Sequence, residues 1–293
     1  MNVAWIAVDW GTSNLRIWAM DAEDHMIDEI RSDQGIASLD ALEIEQVFLA
    51  HIEPWICENI LPVFACGMVG SREGWREAPY DCVPTFAAKK TIRVETISDR
   101  IDLRIIAGVK QPEPEDVIRG EETQIAGFLS DQPDFEGSIC LPGTHTKWVK
   151  VNHRKIINFQ TAMTGELYSL LSKQSVLKNS LGSWEDKSFL KAVKDVFYTP
   201  ERIAVELFGI RAKNLLSADS CGEARLSGTL IGSELAAMQS YWKKNHVHII
   251  GTGQLANLYA EAIQSLNGQA TSYQASGLTL KGLIDIKRGI INA

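Results

Sequence analysis

The sequence predicts an α/β fold of two related halves, each with a mixed sheet and flanking helices. Residues 3–8 form an apolar run typical of a strand, a turn rich in Gly and hydroxyl side chains follows at 11–14, and residues 15–18 alternate as a second strand does. The same order of strand, turn and strand returns about 130 residues later, at 138–151. Because the two stretches match, we expect two related halves that face each other.

Length and composition are compatible with two domains. A chain of 293 residues is long enough to bury two cores. Its net charge of −8 argues against a nucleic-acid or anionic-membrane surface, although a local cluster of Arg can still bind a small anionic substrate. No window approaches the ~18 uninterrupted apolar residues of a transmembrane helix. We also expect no signal peptide, because the first residues enter a strand directly, and therefore a cytoplasmic protein.

The cysteines indicate a reducing compartment. Their number is odd, they are widely spaced, and no C-x-x-C is present. We expect reduced, mostly buried thiols at Cys57, Cys66, Cys82, Cys140 and Cys221. His246 and His248 form a close pair on one strand face, and we interpret them as structural because no third metal ligand lies near them in the sequence.

The first half continues with a recognisable series of elements. The pattern predicts a strand over 25–30, a helix over 39–56, a buried strand over 62–66, a glycine turn over 67–71, a polar and aromatic loop over 74–80, a strand over 103–109, a loop over 111–116 and a helix that begins at Glu121. Residues 131–137 resemble a linker. The sequence therefore predicts domains over residues 1–133 and 134–293, with the last helix able to cross back to the first domain.

The second half follows a similar order. After its hairpin the pattern predicts a strand over 155–159, a helix that Thr164 can cap, a helical region over 183–216 with breaks at Pro200 and Gly209, a helix over 227–243, a strand over 247–250, a helix over 254–266, a weak strand over 270–273 and a last helix over 278–291.

The first turn combines side chains that suit phosphate and magnesium. Gly11 lets the backbone approach a ligand, while backbone N–H groups, the hydroxyls of Thr12 and Ser13 and the amide of Asn14 suit phosphate oxygens. Next to these groups, the carboxylate of Asp9 suits Mg²⁺, which it would bind through a water molecule. Similar residues recur in the second turn, as Gly143, Thr144, His145 and Lys147. An ordinary hairpin uses the same residue types, and only the repetition favours a ligand site.

A third glycine turn lies near the end of the chain. Gly251, Thr252 and Gly253 begin a G-x-G-x-x-A motif between a strand and a helix, which is the dinucleotide-binding pattern. The acidic residue expected after the next strand is missing, and too few residues follow for a full dinucleotide domain. The alternatives are an adenosine that lies against this backbone and tight helix–strand packing. No G-x-x-x-x-G-K-[ST] is present, so the chain is not a P-loop enzyme.

The loop over 74–80 is aromatic and polar, and sugar-acid sites combine a flat ring with Arg and hydroxyls in this way. A surface loop anchored by Trp75 and Tyr80 is an equally good interpretation. An anionic substrate would also need Arg and backbone donors to offset its carboxylate. The predicted substrate residues are Arg16, Met68, Ser71, Trp75, Tyr80, Arg119, Thr164 and Glu166.

Several segments together carry a family resemblance. They are DWGTSNLR at 9–16, GMVGS at 67–71, GW at 74–75 with APY at 78–80, RGEETQ at 119–124, PGTH at 142–145 with KWV at 147–149, and MTGEL at 163–167. In this order they resemble the 2-dehydro-3-deoxygalactonokinase family of the actin-like superfamily. Residues 174–220 match no motif.

The resemblance implies two actin-like (ribonuclease H-like) domains around a nucleotide cleft. It also implies phosphorylation of the 6-hydroxyl of 2-dehydro-3-deoxy-D-galactonate with ATP and Mg²⁺, which feeds an aldolase in bacterial galactonate breakdown. The expected partner is a small anionic sugar acid, without nucleic acid or membrane, and a homodimer is left open. A phosphohydrolase of the exopolyphosphatase type and a non-enzymatic actin-like ATP switch are the alternatives.

Two acidic residues open the helix that precedes the linker. Glu121 and Glu122 suit the helix dipole, which alone explains acidic residues in a first turn. In a two-domain kinase the same position lines the site, where a carboxylate could accept the proton of the substrate hydroxyl. Only one can face the site, because adjacent helical residues point about 100° apart. We favour Glu121, since Glu122 could bind the turn before it.

Overall fold

The computed structural model describes residues 2–56, 59–217 and 221–291, and these residues form two compact units. The first unit contains the described residues up to Phe135, the segment Asn152–Asn158, and the segment from Ala275 onward. The second contains Glu136–Val151 and Phe159–Gln274. The first unit is thus built from three separate segments, of which the last is the C-terminal helix.

The first unit is built on a six-stranded mixed sheet. In chain order its strands and those beside it are β1 (Trp5–Trp10), β2 (Leu15–Met20), β3 (Met26–Ser32), β4 (Leu61–Gly67), β5 (Tyr80–Cys82), β6 (Thr85–Phe86), β7 (Thr91–Val94), β8 (Ile101–Ile106), β9 (Gly108–Pro112) and β10 (Glu115–Ile118). The large sheet has the order β3-β2-β1-β4-β8-β7, and β10-β9-β5 form a small one. Its helices are α1 (Ile44–Ile52) and α2 (Glu121–Asp131).

The second unit repeats this plan. The strands of its sheet are β11 (Gly137–Leu141), β12 (Thr146–Asn152), β13 (Lys155–Ala162), β14 (His246–Gly251) and β15 (Gln269–Gln274). The last residue of β12 and the first four residues of β13 belong to the first unit. Its helices are α3 (Thr164–Gln174), α4 (Asp186–Tyr198), α5 (Ile203–Ser217), α6 (Gly222–Ala237), α7 (Gln239–Trp242) and α8 (Gly253–Ser265). The C-terminal α9 (Ala275–Ile291) belongs to the first unit.

The two sheets share one topology. The order β13-β12-β11-β14-β15 matches β3-β2-β1-β4-β8 strand for strand. In both, the first strand is antiparallel to the second and parallel to the fourth of its unit. This confirms the prediction of two related α/β units with mixed sheets and flanking helices.

Alternating side chains on β1 explain why its sheet is covered on both faces. Trp10 points to the core shared with Phe48 of α1, whereas Trp5 points to the opposite core, which Leu283 of α9 completes. α9 packs so closely on α2 that a Cβ at Gly127 would lie only 1.9 Å from the Leu278 carbonyl oxygen. Glycine at this position therefore allows the contact. The helix that begins with Glu121 is therefore held from behind by the C-terminal helix.

Some elements differ from the sequence prediction. The helix predicted over 39–56 begins at Ile44, because Glu43 accepts a hydrogen bond from the Asp40 N–H and closes a turn before it. The loop predicted over 111–116 is mostly the β9–β10 hairpin. α5 runs through Gly209, whose cost in a helix of about 1 kcal/mol is outweighed by packing elsewhere.

Thr164 does not cap α3 as predicted. The N-cap is Met163, without a side-chain cap bond, and the Thr164 hydroxyl donates instead to the buried carboxylate of Glu234. The helix predicted to start near 227 begins at Gly222.

The thiols are only partly buried. Cys66 and Cys140 are buried free thiols, while Cys82 is exposed, and Cys57 lies outside the described residues. None of the described helices has the length and apolar character needed to cross a membrane.

Candidate active site

The β1–β2 turn presents its polar side chains to solvent. The Gly11 N–H donates to the Asn14 carbonyl over 2.9 Å, which closes the turn. The carbonyls of Gly11 and Thr12 accept hydrogen bonds from the N–H groups of Ile36 and Ala37, each over 3.0 Å. The backbone is therefore fixed from one side, and the side chains of Thr12, Ser13 and Asn14 stay exposed. This arrangement suits a phosphate-binding turn.

Asp9 lies at the carboxyl end of β1, between charges of both signs. It pairs in register with Arg16 on β2, and its carboxylate is 22% exposed. Burial raises the pKa of Asp9, the Arg16 charge lowers it, and the charge of Glu121 raises it again. A divalent cation would offset the repulsion between Asp9 and Glu121. The site therefore fits Mg²⁺, which binds through few carboxylates and keeps several waters.

Two glycines bring the start of α2 close to β1. Gly67 has φ of 93°, and a Cβ there would lie 2.7 Å from the Trp10 carbonyl oxygen. Gly120, with φ of 108°, immediately precedes α2, and its own Cβ would lie 3.3 Å from the Gly67 Cα. Since β1 and β4 are parallel, their carboxyl ends and the α2 N-terminus meet at one edge of the sheet. The edge carries Asp9 and the two glutamates.

The two glutamates differ in exposure. Glu122 is fully buried, and its carboxyl accepts from the Gly120 N–H over 2.7 Å and from the Thr123 hydroxyl over 3.2 Å. Burial, with a smaller contribution from the Glu121 charge, raises its pKa to about 8. Glu121 is partly exposed and accepts from the Arg119 N–H over 3.0 Å. Both therefore bind the turn before α2, and Glu121 is the accessible one.

Among the described residues of the first unit, two buried polar atoms have no hydrogen-bond partner. They are the Ser71 hydroxyl oxygen and the Arg119 Nη1. The rest of the Arg119 guanidinium is fixed: it stacks 4.2 Å above the Tyr80 ring and donates to the Ala78 carbonyl over 2.8 Å. Buried donors of this kind are costly unless a ligand or water pairs with them. They fit a polar or anionic ligand.

The remaining substrate residues predicted in the first unit have packing roles. Trp75 contacts Trp10 and Phe48 edge-on, with ring centroids 6.5 and 5.6 Å apart. It anchors the loop rather than presenting a free ring. Met68 is also partly buried against this core.

The β11–β12 turn is tied to the start of α3. The Glu166 N–H donates to the Thr144 carbonyl over 2.9 Å, and the His145 Nε2 lies 2.5 Å from the Glu166 carboxylate. Lys147 is buried, and its ammonium donates to the Thr161 hydroxyl over 3.1 Å. Of the substrate residues predicted here, Thr164 and Glu166 thus already bind within the second unit.

A cavity of about 460 Å³ opens beside this turn, within the second unit. Gly143, Thr144, Thr164 and Gly165 form one end. The apolar wall consists of Trp184, Leu230, Ile231, Leu255 and Leu258, and the polar groups are Tyr168, Glu223, Ser227, Gln254 and Tyr259. The volume and the mixed lining are typical of small-molecule sites.

The glycine turn between β14 and α8 adjoins this cavity. Gly253, with φ of 52°, begins α8, and a Cβ there would contact nothing. The next residue, Gln254, lines the cavity. The predicted adenosine segment and the predicted phosphate turn therefore flank the same cavity. Most of its wall was not foreseen, because α3, α6 and α8 contribute residues that show no local motif.

Tyr168 and Glu223 form a polar pair in the cavity wall. The Tyr168 hydroxyl donates to the Glu223 carboxylate over 3.1 Å, and burial together with that charge raises the pKa of Tyr168 to about 12. A carboxylate here suits a ligand that offers hydroxyl or amine donors. Among the described residues, no group of three or more His, Cys, Asp or Glu could hold a metal ion without help from a ligand.

Comparison with known proteins gives consistent matches over the whole chain. A family model described as 2-keto-3-deoxy-galactonokinase matches residues 9–286. The 2-dehydro-3-deoxygalactonokinase of Escherichia coli (strain K12) is 32% identical over 300 residues, covering 100% of both chains. A protein named probable 2-dehydro-3-deoxygalactonokinase from Rhizobium meliloti (strain 1021) is 32% identical, covering 97% of this chain and 96% of its own. A crystal structure of a candidate 2-dehydro-3-deoxygalactonokinase from Sinorhizobium meliloti superposes with a TM-score of 0.90 at 31% identity, over 98% of this chain and 96% of the other.

Proposed function

The chain belongs to the 2-keto-3-deoxy-galactonokinase family, and on that premise we propose that it transfers the terminal phosphate of ATP to the 6-hydroxyl of 2-dehydro-3-deoxy-D-galactonate. The product would be the 6-phospho sugar acid of galactonate catabolism. The observation that carries the proposal is the cavity of the second unit, which is flanked by a glycine and hydroxyl turn at 143–147 and a glycine turn at 251–253. The exopolyphosphatase and ATP-switch alternatives gain no support from the comparisons.

The nucleoside of ATP occupies the cavity in this proposal. Leu230, Ile231 and Leu258 offer apolar surface to a purine. Glu223 would accept hydrogen bonds from nucleoside hydroxyls or the exocyclic amine. A phosphate is disfavoured beside it, because both groups are negatively charged. Gly251, Thr252 and Gly253 would lie against the nucleoside.

In this proposal the hairpin turn of the second unit binds the phosphates. In the second unit, Gly143 and Thr144 line the cavity. The buried Lys147 and the exposed His145 follow them in the chain and would add donor groups. In the first unit, the exposed donors of Thr12, Ser13 and Asn14 around Gly11 form a turn of the same kind, which also suits phosphate oxygens. Mg²⁺ neutralises phosphate charge when bound, and Asp9 would hold it through water.

The sugar acid binds in the first unit. The buried Ser71 hydroxyl and Arg119 Nη1 have no hydrogen-bond partner and would pair with its carboxylate or keto oxygens. Arg16 adds a second cation near the acceptor hydroxyl. Tyr80 orients Arg119 by stacking, while Trp75 and Met68 fix the loop from its apolar side.

Glu121 acts as the proton acceptor. It is more accessible than Glu122, and it lies close enough to Asp9 to influence that residue's pKa. Phosphoryl transfer depends more on position than on full deprotonation of the hydroxyl. The Arg119 N–H holds the Glu121 carboxylate in place, so that it can take the proton as the new P–O bond forms.

A coupled assay of ADP formation tests the reaction. ADP should appear only when ATP, Mg²⁺ and the sugar acid are all present, in an amount equal to the sugar acid consumed. ADP release that does not depend on the sugar acid, or phosphate release from polyphosphate, would overturn the proposal.

A substitution at the cavity mouth tests the nucleotide site. Leu255 is 36% exposed, so Leu255→Trp adds bulk at the mouth without breaking a core. It should raise the Kd for ATP about tenfold, equal to about 1.4 kcal/mol. The matched control is Leu42→Trp, because Leu42 is 86% exposed in the first unit and should leave binding unchanged.

A further inference from the structure

A buried carboxylate behind the cavity of the second unit receives hydrogen bonds from three different elements. Glu234, on α6, is 5% exposed. Its Oε1 accepts from the Trp148 indole N–H over 2.6 Å, and its Oε2 accepts from the Tyr259 hydroxyl over 2.7 Å and from the Thr164 hydroxyl. β12, α3 and α8 are thus joined through one side chain.

The network continues to the strand that leaves the phosphate turn. Because the single proton of the Tyr259 hydroxyl is donated to Glu234, the Thr146 hydroxyl must be the donor in its 3.0 Å bond to Tyr259. Thr146 is the first residue of β12, and Thr164 is the first residue of α3. Glu234 therefore reaches both segments that shape the turn at 143–145.

Two of these partners also line the cavity. Thr164 and Tyr259 contribute to its wall, whereas Glu234 does not. The start of α3 is further tied to the turn, since the Glu166 N–H donates to the Thr144 carbonyl. A change at Glu234 would thus reach the ligand only through its neighbours.

From this geometry we infer that Glu234 is a positioning residue for the nucleotide: it fixes the hydroxyls of Thr164 and Tyr259, and through them the phosphate turn. The inference rests on the proposed binding of ATP in this cavity. Apolar replacement of a buried acceptor leaves several donors without partners, which is more costly than the loss of one bond. A buried polar network whose members are all hydrogen-bonded holds those members in one fixed arrangement.

Glu234→Gln is the informative substitution. The indole N–H of Trp148 can only donate, so the amide oxygen must face it and the amide N–H₂ must face the two hydroxyls. Those hydroxyls can reverse their roles and accept, so the fold should survive while Thr164 and Tyr259 shift. Tyr259→Phe removes a single hydroxyl and serves as a second variant if the first fails to fold. Glu261→Gln, exposed on α8, is the control.

Calorimetric binding of ATP and the two KM values form the test. Both variants should raise the Kd for ATP about tenfold or more and leave the KM for the sugar acid within about twofold, at saturating ATP. The double variant should bind ATP no more weakly than the weaker-binding single variant, because both substitutions act through the same hydrogen bond between Glu234 and Tyr259. Glu261→Gln should match wild type.

The outcomes separate this inference from the proposed function. Variants that bind ATP like wild type, with only a lower Tm, would overturn the positioning role alone. A parallel rise in both KM values would also overturn it, since it would indicate a general loosening of the fold. Wild-type protein that binds no ATP would overturn the proposed function itself, and this inference with it.

Discussion

The Nη1 of Arg16 lies 3.7 Å from Oδ2 of Asp9, across the first hairpin. The two residues form a register pair on β1 and β2, so their side chains emerge on the same face at the turn. About a quarter of the Arg16 side chain stays exposed. Arg16 can therefore stabilise the Asp9 carboxylate and still reach an anionic ligand, which links the predicted metal residue to a predicted substrate residue.

Asp9→Asn should damage turnover far more than folding. The change removes a carboxylate that burial and Glu121 both disfavour in its ionised form, so Tm should stay level or rise. The loss of a fixed charge that holds Mg²⁺ should lower kcat by about 10²- to 10³-fold. Steady-state kinetics over a range of Mg²⁺ concentrations would show a higher half-saturating concentration.

Asp99→Asn provides the comparison for that variant, because Asp99 is an exposed aspartate of the same unit. It should leave both kcat and the Mg²⁺ requirement unchanged. An unchanged rate with a lower Tm in Asp9→Asn would identify the segment as a plain structural turn.

Arg16→Ala should both weaken binding of the sugar acid and shift the pH profile of kcat. Its charge lowers the pKa of Asp9, so its removal lets that pKa rise further. The acidic limb of the kcat profile should then move to higher pH, because Asp9 must be ionised to hold Mg²⁺. The KM for the sugar acid should rise about tenfold. If the acidic limb moves to higher pH while the KM for the sugar acid is unchanged, then Arg16 stabilises the Asp9 carboxylate but does not bind the substrate.

Glu121→Gln should remove the proton acceptor. We expect a fall in kcat of about 10²- to 10⁴-fold at saturating substrates. Glu122→Gln is the neighbouring comparison and should retain much more activity, since Glu122 is fully buried and bound to Gly120 and Thr123. A near-normal kcat in both variants would show that Glu121 and Glu122 only cap the N-terminus of α2 and that neither accepts the proton.

The pH dependence of stability should report on Glu122. Its pKa is raised from 4.5 to about 8 in the fold, so its contribution is fully present below pH 4.5 and is lost as pH rises toward about 8. Glu122→Gln cannot ionise. Its free energy of unfolding relative to wild type should therefore increase across that window, by on the order of several kcal/mol. Urea denaturation of both proteins at about pH 5 and about pH 9 measures the difference.

The hairpins could be predicted because their signal is local. Each consists of an apolar strand, a Gly turn and a second strand within about 15 residues, and the repetition in the second half indicated duplication. The glycine turn at 251–253 was recognised for the same reason. The cavity could not be predicted in this way, since Tyr168, Trp184 and Glu223 come from separate elements and meet only after folding.

Glu234 illustrates the same limit. It lies on a helix between apolar positions, where a glutamate usually indicates a solvent-exposed face. Its burial depends on three donors that are 25 to 86 residues away in the sequence. Local periodicity contains no information about partners at that separation.

Ser71→Ala should separate ligand binding from stability. The Ser71 hydroxyl is buried without a hydrogen-bond partner, so the fold carries its desolvation cost of about 1–3 kcal/mol. Removing the hydroxyl should leave Tm unchanged or raise it. If the hydroxyl pairs with the sugar acid, the same change should raise the KM for that substrate about tenfold while the KM for ATP stays constant.

Ser188→Ala is the matched control for this last prediction, because Ser188 is also buried but its hydroxyl already donates to Glu185. It should lower Tm, since a bonded hydroxyl is lost, and leave both KM values unchanged. The two serines should therefore respond in opposite ways: one variant loses substrate affinity without losing stability, and the other loses stability without losing affinity. A Ser71→Ala enzyme with a lower Tm and a normal KM would show that the hydroxyl is paired within the protein and would remove Ser71 from the acceptor site.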